Sequence, residues 1–81
     1  MADGWITDAQ GYWIAHFHWD DKSWPKDKRL FVDYGREIPG QAALLKSRRH
    51  LRAEEARTLW KSLCSSGWKQ RTPAWGADAE P

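Results

Sequence analysis

With 81 residues, a formal net charge of +2 and one cysteine, Cys64, the chain can build only one thin core and cannot close an internal disulfide. Seven tryptophans, two tyrosines and two phenylalanines must therefore supply the burial that a staple provides in other small domains. The longest aliphatic run, Ala42 to Leu45, is far too short for a helical membrane span, and Met1 to Trp5 lacks a basic region followed by an apolar stretch, so a soluble cytoplasmic protein is expected.

Trp5-Ile6-Thr7 reads as a short strand, and the turn-type cluster Asp8-Ala9-Gln10-Gly11 closes it into a hairpin. The next strand, Tyr12 to Trp19, alternates. Trp13, Ala15, Phe17 and Trp19 are expected to face the core, with Tyr12, Ile14, His16 and His18 on the opposite, solvated side. Asp20 to Lys28 is polar and holds Ser23-Trp24-Pro25, the composition of a loop with one pinned ring. Arg29 to Tyr34 resumes alternation and places Leu30, Val32 and Tyr34 together as a third strand. Gly35, Pro39 and Gly40 mark turns, and Ala43 to Lys46 suits a short fourth strand.

Ala56, Leu59, Trp60 and Leu63 recur at helical spacing, which predicts an amphipathic helix over about 53–66 with Cys64 at the border of its apolar stripe. Glu54 and Glu55 fall in its first turn, and Gly67 suits the left-handed position after its end. Arg52 stands where a Ser, Thr or Asp would ordinarily cap. Trp68 to Arg71 leaves the helix extended. The expected fold is α+β, a small antiparallel sheet of three or four strands packed on one α-helix, forming a single domain over 4–71 with a flexible C-terminal tail at 72–81.

Charge is unevenly placed. Residues 1–40 hold 5 basic and 7 acidic side chains, whereas residues 41–81 hold 8 and 4, and between Lys46 and Arg71 the 8 basic residues meet only Glu54 and Glu55. Lys46, Arg48, Arg49, His50 and Arg52 lie within seven residues between the expected fourth strand and the helix, where side chains and backbone N–H groups can converge on phosphate. Arg57 and Lys61, one helical turn apart, Lys69 and Arg71 extend the cluster toward a continuous basic face. Trp24, Tyr34 and Trp75 are expected to be the least buried rings, and exposed rings beside cations are what single-stranded nucleic acid stacks on.

His16, His18 and Asp20 alternate and project from one strand face as metal ligands would, but the outer face of a half-buried strand produces the same spacing, and the solvated-face reading is preferred. Cys64, at the edge of the helical stripe, is expected to pack as a small hydrophobe rather than act as a nucleophile. There is no phosphate loop, dinucleotide fingerprint or nucleophile elbow. No catalytic set and no cofactor are expected.

Leu44-Leu45-Lys46-Ser47-Arg48-Arg49-His50-Leu51, Glu54-Glu55-Ala56, Leu59-Trp60-Lys61 and Gly67-Trp68, with Gly4-Trp5, His16-Phe17, Ser23-Trp24-Pro25 and Gly35-Arg36, resemble a picocyanobacterial family, domain of unknown function 1651, over about residues 4–75. The resemblance implies a cyanobacterial cytoplasmic setting and no assigned activity. Tyr34-Gly35-Arg36, Gly40-Gln41, Leu45-Lys46 and Glu54-Glu55-Ala56 leading to Gly67-Trp68 are more loosely similar to tryptophan-glycine-arginine domains, with Tyr34 in place of the tryptophan. That likeness implies contact with nucleic acid through the turn holding Tyr34 and Arg36. The expected function is a non-enzymatic binding module for nucleic acid, or alternatively an adaptor whose arginines and tryptophans meet an acidic protein surface. Self-association through exposed rings is a third option.

Overall fold

The computed structural model describes residues 4–76 and 79–81. In chain order the elements are β1 (Gly4–Thr7), β2 (Ile14–Trp19), β3 (Arg29–Arg36), β4 (Leu44–Arg52), α1 (Ala53–Ser65) and β5 (Lys69–Gln70). The strands form one antiparallel sheet in the order β4-β3-β2-β1-β5.

The first hairpin closes as its composition predicts: Gly11 N–H donates to the Asp8 carbonyl at 3.0 Å, Tyr12 N–H donates to Asp8 Oδ1 at 2.7 Å, and Gly11 takes a φ of 71°. The helix packs on one face of the sheet. Ile6, Ala15, Phe17, Leu30, Val32, Leu51 and Ala56 form the buried core, with Trp19, Tyr34, Leu59, Trp60, Leu63 and Trp68 partly buried around it. Trp60 meets Phe17 edge to face at 5.1 Å between centroids. Its indole also lies over Gly4, where a Cβ would stand 2.7 Å from the ring.

At the helix start Glu55 accepts the Arg52 N–H at 3.2 Å, which supplies half of a cap; the Arg52 guanidinium has no acceptor to offer in return. At the end, Trp68 N–H reaches the Leu63 carbonyl and Gly67 N–H the Cys64 carbonyl, both at 3.1 Å, with Gly67 at a φ of 97°. This is the left-handed closure expected of that glycine.

Three sequence expectations are corrected. β4 extends from Leu44 to Arg52, nine residues, so the basic cluster lies in a strand rather than in a linker. Its charged side chains hid the alternation because β4 is an edge strand, where polar residues are tolerated on both faces. Trp13 precedes β2, is half-buried against Tyr12 and stands outside the core cluster. The face carrying Ile14 and His16 is not solvated: Ile14 and His16 are buried, with His16 only 6% exposed. The two-residue β5, paired with β1 through Ile6–Gln70 and Thr7–Lys69, brings the strand count to five.

Candidate binding face

Strand alternation sends Trp5, His16, His18, Phe31, Asp33, Arg48 and His50 to the sheet face opposite the helix. Their rings form a ladder across four strands. Trp5 stacks on His16 at 3.8 Å and 11°, His16 on His18 at 4.5 Å and 16°, His18 meets Phe31 at 5.5 Å, and Phe31 stacks on His50 at 4.8 Å. Trp75, from beyond β5, closes the Trp5 end edge-on at 4.8 Å.

Asp33 sits within this face, 1% exposed. Its Oδ1 accepts from Arg48 Nε at 2.6 Å, and its Oδ2 lies 2.8 Å from both Arg48 Nη2 and His18 Nε2. Burial alone would raise the Asp33 carboxyl, but the hydrogen bonds and charges of Arg48 and His18 outweigh it and hold the group below the ordinary carboxylate range. The Arg48 guanidinium is raised in turn by the Asp33 hydrogen bond, and it also lies 4.6 Å above the Phe31 ring.

The expected His16, His18, Asp20 trio is not assembled. Asp20 lies beyond β2 and contacts His50 Nε2 at 2.9 Å, while its carboxyl is lowered first by the Lys22 N–H that it accepts. Asp33, opposite His16 on β3, takes its place: the ligand atoms of His16, His18 and Asp33 lie within 4.8 Å of one another. Nitrogen and oxygen donors at this separation suit a transition metal in number. The ring planes do not. An ion shared by two parallel, stacked imidazoles would lie out of plane by an amount comparable with the metal–nitrogen bond of about 2 Å, and Arg48 already holds the carboxylate by both oxygens.

The β2–β3 loop is fastened beside the far end of β4. Ser23 N–H and hydroxyl both donate to the Asp20 carbonyl, Ser23 Oγ accepts the Arg29 N–H, and Asp27 N–H donates to the Trp24 carbonyl. Ala53 N–H donates to the Lys28 carbonyl at 3.0 Å, tying the loop to the β4–α1 junction, and the Asp20–His50 contact ties it to β4. Trp24 projects from this ordered loop with 76% of its surface exposed, and the residues after it, Pro25 to Lys28, line a depression shared with Arg52, whose Nε lies 3.9 Å from Asp27 Oδ1.

The basic residues are thereby divided rather than continuous. Lys46 and Arg52 are exposed on β4, Arg48 is engaged with Asp33, and His50 with Asp20. Arg49 points to the helix side, where it borders an open groove of about 540 Å³ with Leu51, Glu54, Glu55 and Leu59. Arg57 and Lys61 are exposed on α1, on the other side of the sheet, and Lys69 is on β5 at the opposite edge. Tyr34 packs partly buried against the core. Arg36 bonds the Tyr12 hydroxyl and lies over its ring. Trp75 is half-buried.

Phe31, Asp33 and Trp5 were not legible as site residues. Arg29, Phe31 and Asp33 occupy the second face of a strand whose first face, Leu30, Val32 and Tyr34, already explained its pattern. An aromatic and a carboxylate in that second register were the available signal.

Residues 3–75 match the family described as Protein of unknown function (DUF1651). The chain belongs to this family. No curated protein and no solved structure matches it. The tryptophan-glycine-arginine likeness thus brings no template for the site, and Gly35 has a local explanation: a Cβ there would stand 2.5 Å from the Leu44 carbonyl oxygen, beside a β-bulge. No helix among the described residues is long and apolar enough to cross a membrane.

Proposed function

We propose that this member of the DUF1651 family is a non-enzymatic module that binds single-stranded nucleic acid along β4 and the adjoining β2–β3 loop. The observation that carries the reading is an exposed ring, Trp24, on an ordered loop whose next residues, Pro25 and Lys26, line one surface depression with Arg52 at the end of a basic edge strand. A base can stack on the ring while phosphates meet the cations. The nine residues of β4 span about 27 Å at about 3.3 Å per residue, enough to follow several nucleotides of backbone.

Fluorescence anisotropy with a labelled thymidine oligomer and a duplex of equal length tests this. If Lys26, Arg52 and Lys46 neutralise three phosphates, the salt slope is about −2, so affinity falls about twentyfold between about 50 and 200 mM salt. Tighter binding to duplex, binding indifferent to salt, or no binding at low salt refutes the proposal.

The free backbone edge of β4 supports a second reading, in which an acidic extended peptide adds a strand there. Pull-down from nuclease-treated extract separates the two, since a peptide partner survives nuclease.

A further inference from the structure

After β5, Trp75 and Glu80 each contact the sheet face that carries the ring ladder. Arg71 N–H donates to the Trp5 carbonyl at 2.9 Å, and its guanidinium pairs with Glu37 at 2.8 Å, which fixes where the segment starts. Trp75 then lies edge-on against Trp5 on β1, and Glu80 places a carboxylate oxygen 3.4 Å from Arg48 Nη1 on β4. A ring and an anion are thus set at the two sides of the face, on an aromatic and on a guanidinium. That is the chemistry a nucleotide offers, with base and phosphate in place of indole and carboxylate.

Both contacts are weak. The Glu80 side chain is 73% exposed, where ion pairs contribute little. Trp75 Nε1 is buried with no hydrogen-bond partner among the described residues, which works against its seating. The Arg48–Asp33 pair beneath does not depend on Glu80, because it uses Nε and Nη2 and leaves Nη1 to the tail.

We infer that Trp75 and Glu80 are internal competitors: Trp75 occupies the Trp5 end of the ladder and Glu80 the outer nitrogen of Arg48, and a nucleic-acid strand lying along β4 displaces them to place a phosphate on Arg48. This rests on the reading of β4 as a nucleic-acid edge.

The test uses the full chain and the labelled thymidine oligomer at low salt. Glu80→Gln is compared with Gln10→Lys, which changes the net charge equally in the exposed β1–β2 turn, at the end of the sheet away from the β2–β3 loop. Glu80→Gln is expected to bind about two- to fivefold more tightly than Gln10→Lys, the range an exposed ion pair supplies. Trp75→Ala is expected to tighten binding as well, and the Trp75 indole N–H resonance of the wild type should move when oligomer is added. Equal affinities for Glu80→Gln and Gln10→Lys, or weaker binding by Trp75→Ala, overturn the competitor and leave the β4 reading standing. Absence of binding by the wild type and all variants overturns both.

Discussion

Replacing Asp33 by alanine should remove the electrostatic centre of the open face while leaving the helix-side core untouched. The carboxylate is 1% exposed and accepts two hydrogen bonds from Arg48 and one from His18. Charge-assisted hydrogen bonds of this kind contribute about 1.5–3 kcal/mol each, and a buried partner left alone costs several kcal/mol more. Arg48 is 23% exposed at its side chain and retains Glu80 nearby, so part of its penalty is relieved by water. A net loss of about 3 kcal/mol follows. For a domain of this length total stability is about 4–12 kcal/mol, and each kcal/mol moves the melting temperature by about 4–8 °C, so the midpoint should fall by about 15 °C. Urea unfolding followed by tryptophan fluorescence, with thermal melting by circular dichroism, measures both. A loss below about 1 kcal/mol would refute the reasoning, because it would mean that Arg48 and His18 are as well satisfied by solvent as by Asp33.

Other expectations concern pH, backbone room and the exposed ring. The native Asp33 carboxyl titrates below its unfolded value of about 3.9, so its contribution is present above about pH 4 and is lost as pH falls through the native value; the stability gap between wild type and Asp33→Asn should shrink as pH falls below about 4. Gly35→Ala should cost about 2 kcal/mol in the same urea assay, since its Cβ meets the Leu44 backbone oxygen and not a movable side chain. Trp24→Ala should leave stability within about 0.5 kcal/mol and weaken oligomer binding by about 1–3 kcal/mol, a split that a merely structural tryptophan would not show.

The helix was legible because its stripe, its first-turn acids and the glycine after its end all point to one answer. The hairpin was legible from its turn residues, and the helix-side face of the sheet from the alternation of Ala15 and Phe17 on β2 and of Leu30, Val32 and Tyr34 on β3. β4 was only half legible. Lys46 to Arg52 alternates as a strand must, but at an edge the two faces are both polar enough to erase the contrast on which the reading depends.

The amino-acid sequence alone determined the class of molecule, one helix on an antiparallel sheet stabilised by rings, together with its charge asymmetry. Only the tertiary structure decided what those charges and rings do. Strand register set Asp33 opposite His16 and within reach of Arg48, a pairing across 15 residues that no local pattern encodes. The same register divided the basic cluster between the two sheet faces, and the path of the chain after β5 put Trp75 on Trp5 rather than in solvent. Burial and partnership are properties of pairs brought together by folding, and composition holds only one member of each pair at a time.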